Sequence, residues 1–93
     1  MPPVLLAIVL RIPLNGVREF QAYEDRVLPL LAKHGGTLER RLRNADGTME
    51  MHVVRFTTRS GFDSFRADPE RAAAATLFAS SGASAELSEM SDV

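Results

Sequence analysis

Few side chains in this sequence can do chemistry: it has two histidines, one tyrosine, no tryptophan and no cysteine. His34 stands in Lys33-His34-Gly35-Gly36, a basic pair before two glycines that reads as a helix C-terminus, where the helix dipole favours charged imidazole. It is either an acid or base at the mouth of a binding cavity or a capping residue beside Gly35. His52 alternates with Glu50, Val54 and Phe56 and is either a catalytic group or a hydrogen-bonded residue at the edge of the core. Tyr23 falls on the apolar stripe of a helix. Its phenol could orient or protonate an enolate-like substrate, or simply bury its ring and leave the hydroxyl on a polar partner. Arg11 and Arg55 fall on strand faces directed away from the helices, where a guanidinium fork suits a carboxylate or phenolate. Arg40, Arg41 and Arg43 crowd a neighbouring strand, with Glu39 and Glu50 to pair some of them. Alternation places Arg41 and Arg43 opposite Arg40. A solvated, charged strand edge that discourages aggregation is the competing account of the arginines. Tyr23 and His52 are therefore the candidate catalytic residues, and Arg55, Arg11 and His34 the candidate substrate-binding ones. Two histidines without an acidic ligand at metal spacing predict no metal site. The sequence has no glycine-rich phosphate loop, no His-Glu-x-x-His and no serine nucleophile elbow, so no cofactor is expected.

The elements that must position these residues are legible in outline. Val4–Leu10 is an unbroken apolar run within a strand that extends to Ile12, and a strand apolar on both faces must be covered on both. One cover is a helical layer; a second subunit is the simplest candidate for the other. Pro13 ends the strand, and Asn15 is the predicted N-cap of a helix over roughly 16–34, kinked at Pro29. Phe20, Tyr23, Val27, Leu31 and His34 make its inner face. Thr37–Arg43 and Thr48–Thr57 flank Asn44-Ala45-Asp46-Gly47, a hairpin turn with glycine where positive φ is needed. Ser60, with Asp63 three residues on, is the expected cap of a short helix bearing Phe62 and Phe65. Asp68-Pro69-Glu70 restarts the helix with a cap and a first-position proline. Its small-residue face, Ala72–Ala75, is followed by a break at Ser80-Ser81-Gly82 and a weak last strand over Ala83–Met90.

The order β-α-β-β-α-β predicts an α+β, ferredoxin-like split βαβ fold, with an antiparallel sheet and helices on one face. Ninety-three residues make one domain, 1–93, with a modest core, so self-association is expected. A net charge of −1 supplies no field for nucleic acid or an anionic membrane. Met1-Pro2-Pro3 before the apolar run and Arg11-Ile12-Pro13 after it do not make a secretory signal, and the run is too short to span a bilayer. With no cysteine, the expectation is a cytoplasmic protein.

The chain resembles the dimeric α+β barrel proteins, best a branch of small uncharacterised bacterial proteins. The likeness rests on Pro29-Leu30-Leu31-Ala32-Lys33-His34-Gly35-Gly36, on Val53-Val54-Arg55-Phe56 and on Asp68-Pro69-Glu70-Arg71. It implies a homodimer. The wider superfamily holds cofactor-independent monooxygenases of antibiotic biosynthesis, muconolactone-isomerase-like enzymes and haem-dependent members, and fold does not choose among them. Without tryptophan, a monooxygenase pattern that relies on one is absent. The leading expectation is a cofactor-independent enzyme acting on a small acidic or enolisable molecule, such as a carboxylate, in a barrel cavity. The alternative is a non-catalytic dimeric ligand-binding or structural protein.

Overall fold

A computed structural model describes residues 2–93. The chain runs β1 (Val4–Arg11), α1 (Val17–Val27), β2 (Gly36–Arg43), β3 (Met49–Phe56), α2 (Arg59–Arg66), α3 (Pro69–Ser81) and β4 (Ser84–Met90). The strands form one antiparallel sheet in the order β2-β3-β1-β4. The helices lie on one face, which is the ferredoxin-like arrangement that the element order predicts.

The apolar run builds the central strand because both of its faces suit burial. Val4, Leu6, Leu10 and Ile12 turn toward the helices and are buried, as are Val54 and Phe56 across from them on β3. Phe20 of α1 and Phe56 are fully buried, each contributing on the order of 2–3 kcal/mol. The core is nevertheless divided. Val4, Leu6, Leu31, Val54, Phe56 and Phe62 form one cluster; Leu10, Ile12 and Phe20 form another, and Ile8 touches both.

The other face of the sheet is apolar and has no cover among the described residues. Leu5, Ala7 and Val9 stand there opposite Arg55, Val53 and Met51. Met51 is 43% exposed, Leu42 47% and Met90 52%, far more than a core strand tolerates.

β2 carries a bulge between Leu38 and Arg40. Before it Leu38 pairs with Val54, and after it Arg41 pairs with His52 and Arg43 with Glu50. The extra residue shifts the alternation, so Arg41 and Arg43 join Leu38 on the helix side.

Several local expectations are corrected. Asn15 caps nothing. It lies in a 3-10 turn, Leu14–Gly16, and Gly16 is the residue before α1, with no side-chain cap. A close approach dictates this, because a Cβ on Gly16 would stand 1.9 Å from the carbonyl oxygen of Ser81 at the end of α3. The first helix does not continue, kinked, to residue 34. The α-helix stops at Val27, and 3-10 turns carry Leu28–Leu30 and Ala32–His34. Pro29 removes the donor a continuing helix needs, while Leu30 and Leu31 still reach the core. The cap of α2 is Thr58, not Ser60: its hydroxyl accepts from the Gly61 amide at 3.0 Å. Asp68 caps α3 as expected, accepting from the Glu70 amide at 2.8 Å, and Gly35 takes the left-handed position with φ +73°. Helix α3 runs through Ser80 and Ser81 and stops at Gly82.

Candidate functional site

Between the sheet and the helices the core leaves a cavity of about 470 Å³. All six aromatic side chains of the protein line it: Phe20, Tyr23, Phe56, Phe62, Phe65 and Phe78. Tyr23 packs between Phe20 and Phe78, with ring centroids 6.3 and 5.2 Å away. Phe56 packs on Phe62 and Phe65 at 5.4 and 5.6 Å. The polar members of the wall are Glu24, His52, Arg66 and Arg71, with the Tyr23 phenol.

Glu24 and His52 belong to a buried ionic cluster. Glu24 sits on the inner face of α1, one turn from Phe20, and Glu50 and His52 alternate inward on β3. Arg41 reaches over both carboxylates, with Nη2 donating to Glu24 Oε1 at 2.9 Å and Nε to Glu50 Oε1 at 3.1 Å. Arg43 Nε donates to Glu50 Oε2 at 2.8 Å. His52 Nε2 lies 2.9 Å from Glu50 Oε1 and 3.1 Å from Glu24 Oε2. One ring hydrogen serves only one of them. Glu24 Oε2 is left buried and accepts no hydrogen bond, an arrangement that is rare and costly for a carboxylate.

The electrostatics follow from this geometry. Burial pushes the Glu24 carboxyl above its ordinary range, opposed by His52 and reinforced by Glu50 beside it. Glu50 goes the other way: burial raises it, but its hydrogen bonds outweigh burial and bring it down to about 2. Burial lowers His52, and the two carboxylates more than reverse that, so its pKa is raised. With His52 neutral, two carboxylates and two guanidinium groups cancel.

Glu24, Glu50 and His52 also bring three ligand-type atoms within 4.8 Å of one another. They do not fit a metal ion well. Three of the four carboxylate oxygens already accept from arginine or histidine, and a dication would lie against two guanidinium groups.

The structure brings Tyr23 and His52 together on one cavity and places the other three candidates elsewhere. The cavity lies between sheet and helices of a single chain, not between two sheets. His34 is tied to Asp68, Nε2 to Oδ2 at 2.7 Å, and Lys33 reaches the same oxygen at 2.8 Å. Lys33 and His34 hold Asp68 far below the usual carboxylate range, and together they fasten the end of the 3-10 turn to the start of α3. Arg55 stands on the uncovered face of the sheet, with Nε 3.0 Å from Glu39. Arg11, exposed at the end of β1, borders an open depression with Met49 and Ser84. Glu24, Arg66 and Arg71 were not among the expected site residues. Glu24 had a signal: Phe20, Glu24, Val27 and Leu31 share one helical stripe, and a carboxylate on an apolar stripe calls for a partner.

No family model matches the chain, and no curated protein is similar to it in sequence at a significant level. Solved structures do match its fold. SnoaB of Streptomyces nogalater, described as a cofactor-independent oxygenase, is 18% identical over 100% of this chain and 95% of its own, with a TM-score of 0.80. A Caulobacter crescentus protein described as a candidate antibiotic biosynthesis monooxygenase is 8% identical over 98% and 92%, with a TM-score of 0.76. A protein from Nitrosomonas europaea with the same description is 10% identical over 95% and 89%, with a TM-score of 0.74. At these identities the likeness is one of fold, the ferredoxin-like α+β architecture of antibiotic-biosynthesis monooxygenase-like proteins.

Proposed function

We propose that the protein is a cofactor-independent enzyme that takes a proton from a small acidic or enolisable organic molecule bound in the aromatic cavity. One observation carries this: every aromatic ring of the chain lines a single unfilled space whose wall includes a buried carboxylate with one unpaired oxygen. Such a space suits a flat apolar ligand, and such an oxygen suits a ligand O–H or activated C–H. In the step we envisage, that bond breaks, the proton goes to Glu24 Oε2, and the electron pair stays on the ligand as an enolate or phenolate. Glu24 becomes neutral, so Arg41, Arg43 and Glu50 leave one net positive charge beside the new anion. His52 holds the two carboxylates apart and in place, and the Tyr23 phenol orients the ligand. The described folds of oxygenase and monooxygenase type are consistent with a small-molecule role.

The same proposal includes a cytoplasmic homodimer, the uncovered apolar face of the sheet being where a second copy packs; Arg11 and Arg55 then lie in or beside that interface. Deuterium exchange at the activated carbon of enolisable aromatic ketones tests the enzyme reading. The protein should accelerate exchange, and Glu24→Gln should reduce it on the order of 100-fold or more. Ligand binding with no acceleration across such a panel would leave the non-catalytic ligand-binding protein as the correct account.

A further inference from the structure

Resting on the cavity reading above, we propose that Arg71 is an anion anchor that makes the cavity selective for flat aromatic molecules bearing a carboxylate. Arg71 lies in the first turn of α3 and lines the cavity. Its Nε is buried and has no hydrogen-bond partner. Among the described residues its one hydrogen bond is a long one of 3.4 Å from Nη1 to the carbonyl of Arg66. Its guanidinium carbon stands 5.3 Å from the centre of the Phe65 ring. Among the described residues no carboxylate approaches it.

The neighbouring arginines sharpen the contrast. Arg66 also borders the cavity, but its Nη2 is paired with Asp63 Oδ1 at 2.8 Å and its guanidinium stacks 4.3 Å from Phe62. Arg41 and Arg43 are held by Glu24 and Glu50. Of the guanidinium groups in and behind this wall, Arg71 is the one with its charge uncompensated. A guanidinium in a half-buried side chain whose buried Nε has no acceptor is an unfavourable arrangement on its own. A bound carboxylate would remove that penalty by taking Nε and a terminal nitrogen together in a two-point contact.

The position of Arg71 also sets the shape of the ligand. Phe65, under Arg71, packs on Phe56 at the end of β3. His52 lies four residues back along that strand, about 13 Å at strand rise. The anion anchor and the Glu24–His52 pair therefore stand at separate ends of an aromatic-walled space. A molecule with a carboxylate at one end and an acidic hydroxyl at the other, two fused rings apart, meets both.

The experiment compares a hydroxynaphthoate with the naphthol that lacks its carboxylate, each titrated by ligand fluorescence. The parent should bind the hydroxynaphthoate at least about tenfold more tightly than the naphthol. Arg71→Gln should erase that preference while keeping its affinity for naphthol, and Arg71→Lys, which keeps the charge but not the fork, should retain part of it. Equal affinity of the parent for both ligands, or an unchanged preference in Arg71→Gln, overturns the anchor and leaves the cavity reading standing. If neither ligand binds the parent, the anchor and the cavity reading fail together. Should Arg71→Gln not fold, the Lys variant decides: a preference identical to the parent's overturns two-point recognition.

Discussion

Glu50→Gln is the sharpest perturbation of the buried cluster. The substitution keeps the size of the side chain and one acceptor oxygen, but removes the charge that Arg41 and Arg43 both contact. A carboxyl lowered from 4.5 to about 2 stabilises the fold at neutral pH by about 3 kcal/mol. Removing one partner of a buried pair typically costs about 3–5 kcal/mol. The Arg41 and Arg43 side chains are 34% and 40% exposed, so water takes over part of their solvation, and the expected loss is about 2–3 kcal/mol. In a domain of this size that is a fall of about 10–20 °C in melting temperature. Urea unfolding across an acid series checks the origin of the loss. Glu50 has its pKa depressed by folding, so its stabilisation is complete above about pH 4.5 and disappears as the pH falls toward about 2. Glu24, whose pKa folding raises, works against this: its protonated form is favoured in the fold, so acid returns some stability. The parent should therefore lose stability in that acid window, and Glu50→Gln should lose much less. A variant within about 1 kcal/mol of the parent at pH 7, with the parent's acid slope, would refute the reasoning.

Four further outcomes are expected. Gly35→Val should lower the melting temperature by more than about 8 °C, because φ is +73° and a Cβ would meet the Thr57 hydroxyl oxygen at 2.7 Å. Gly16→Ala should damage the fold at least as much, through a clash with the Ser81 backbone; a circular-dichroism melt matching the parent would show that α1 and α3 can separate without cost. Thr58→Ala should remove about 1 kcal/mol by deleting the cap of α2, measured by denaturant unfolding. Val9→Asp, on the uncovered face of the sheet, should convert a dimer of twice 10.2 kDa into a monomer by light scattering; a parent that is already monomeric would remove the proposed interface.

The fold was readable where a residue type has one physical use. Gly35 after a basic pair, Asp68 before Pro69, and an eight-residue central strand apolar on both faces all appear where local chemistry puts them. Misreadings came where a distant contact decided. Asn15 looked like a cap, but the approach of Gly16 to Ser81 fixes the entry to α1. Thr58 and Ser60 are both competent caps, and only the path of the chain out of β3 selects Thr58. Periodicity points to Tyr23 and His52, and both line the cavity. Glu24 shows in the sequence only as a carboxylate on the apolar stripe of α1; the partners that make it part of a cluster, Arg41 and His52, arrive from other elements. Arg71 carried no local signal at all: its importance lies in the absence of a counter-ion, which no sequence window displays.

The bulge in β2 decides what changes of length and path the buried cluster can survive. Arg41 and Arg43 reach Glu24 and Glu50 because one residue, at Glu39, is accommodated outside the ladder. A strand of the present length that ran straight through would turn Arg40 and Leu42 inward and put Arg41 and Arg43 on the opposite surface, sealing two carboxylates beneath the helices without cations. Loss of the Glu39 codon would instead take out the extra residue and leave Leu38, Arg41 and Arg43 on the helix side of an unbroken ladder. Descendants of this gene can therefore lose a residue at the bulge and keep the cluster, and an alignment that placed that gap beyond Arg43 would equate arginines that serve opposite sides.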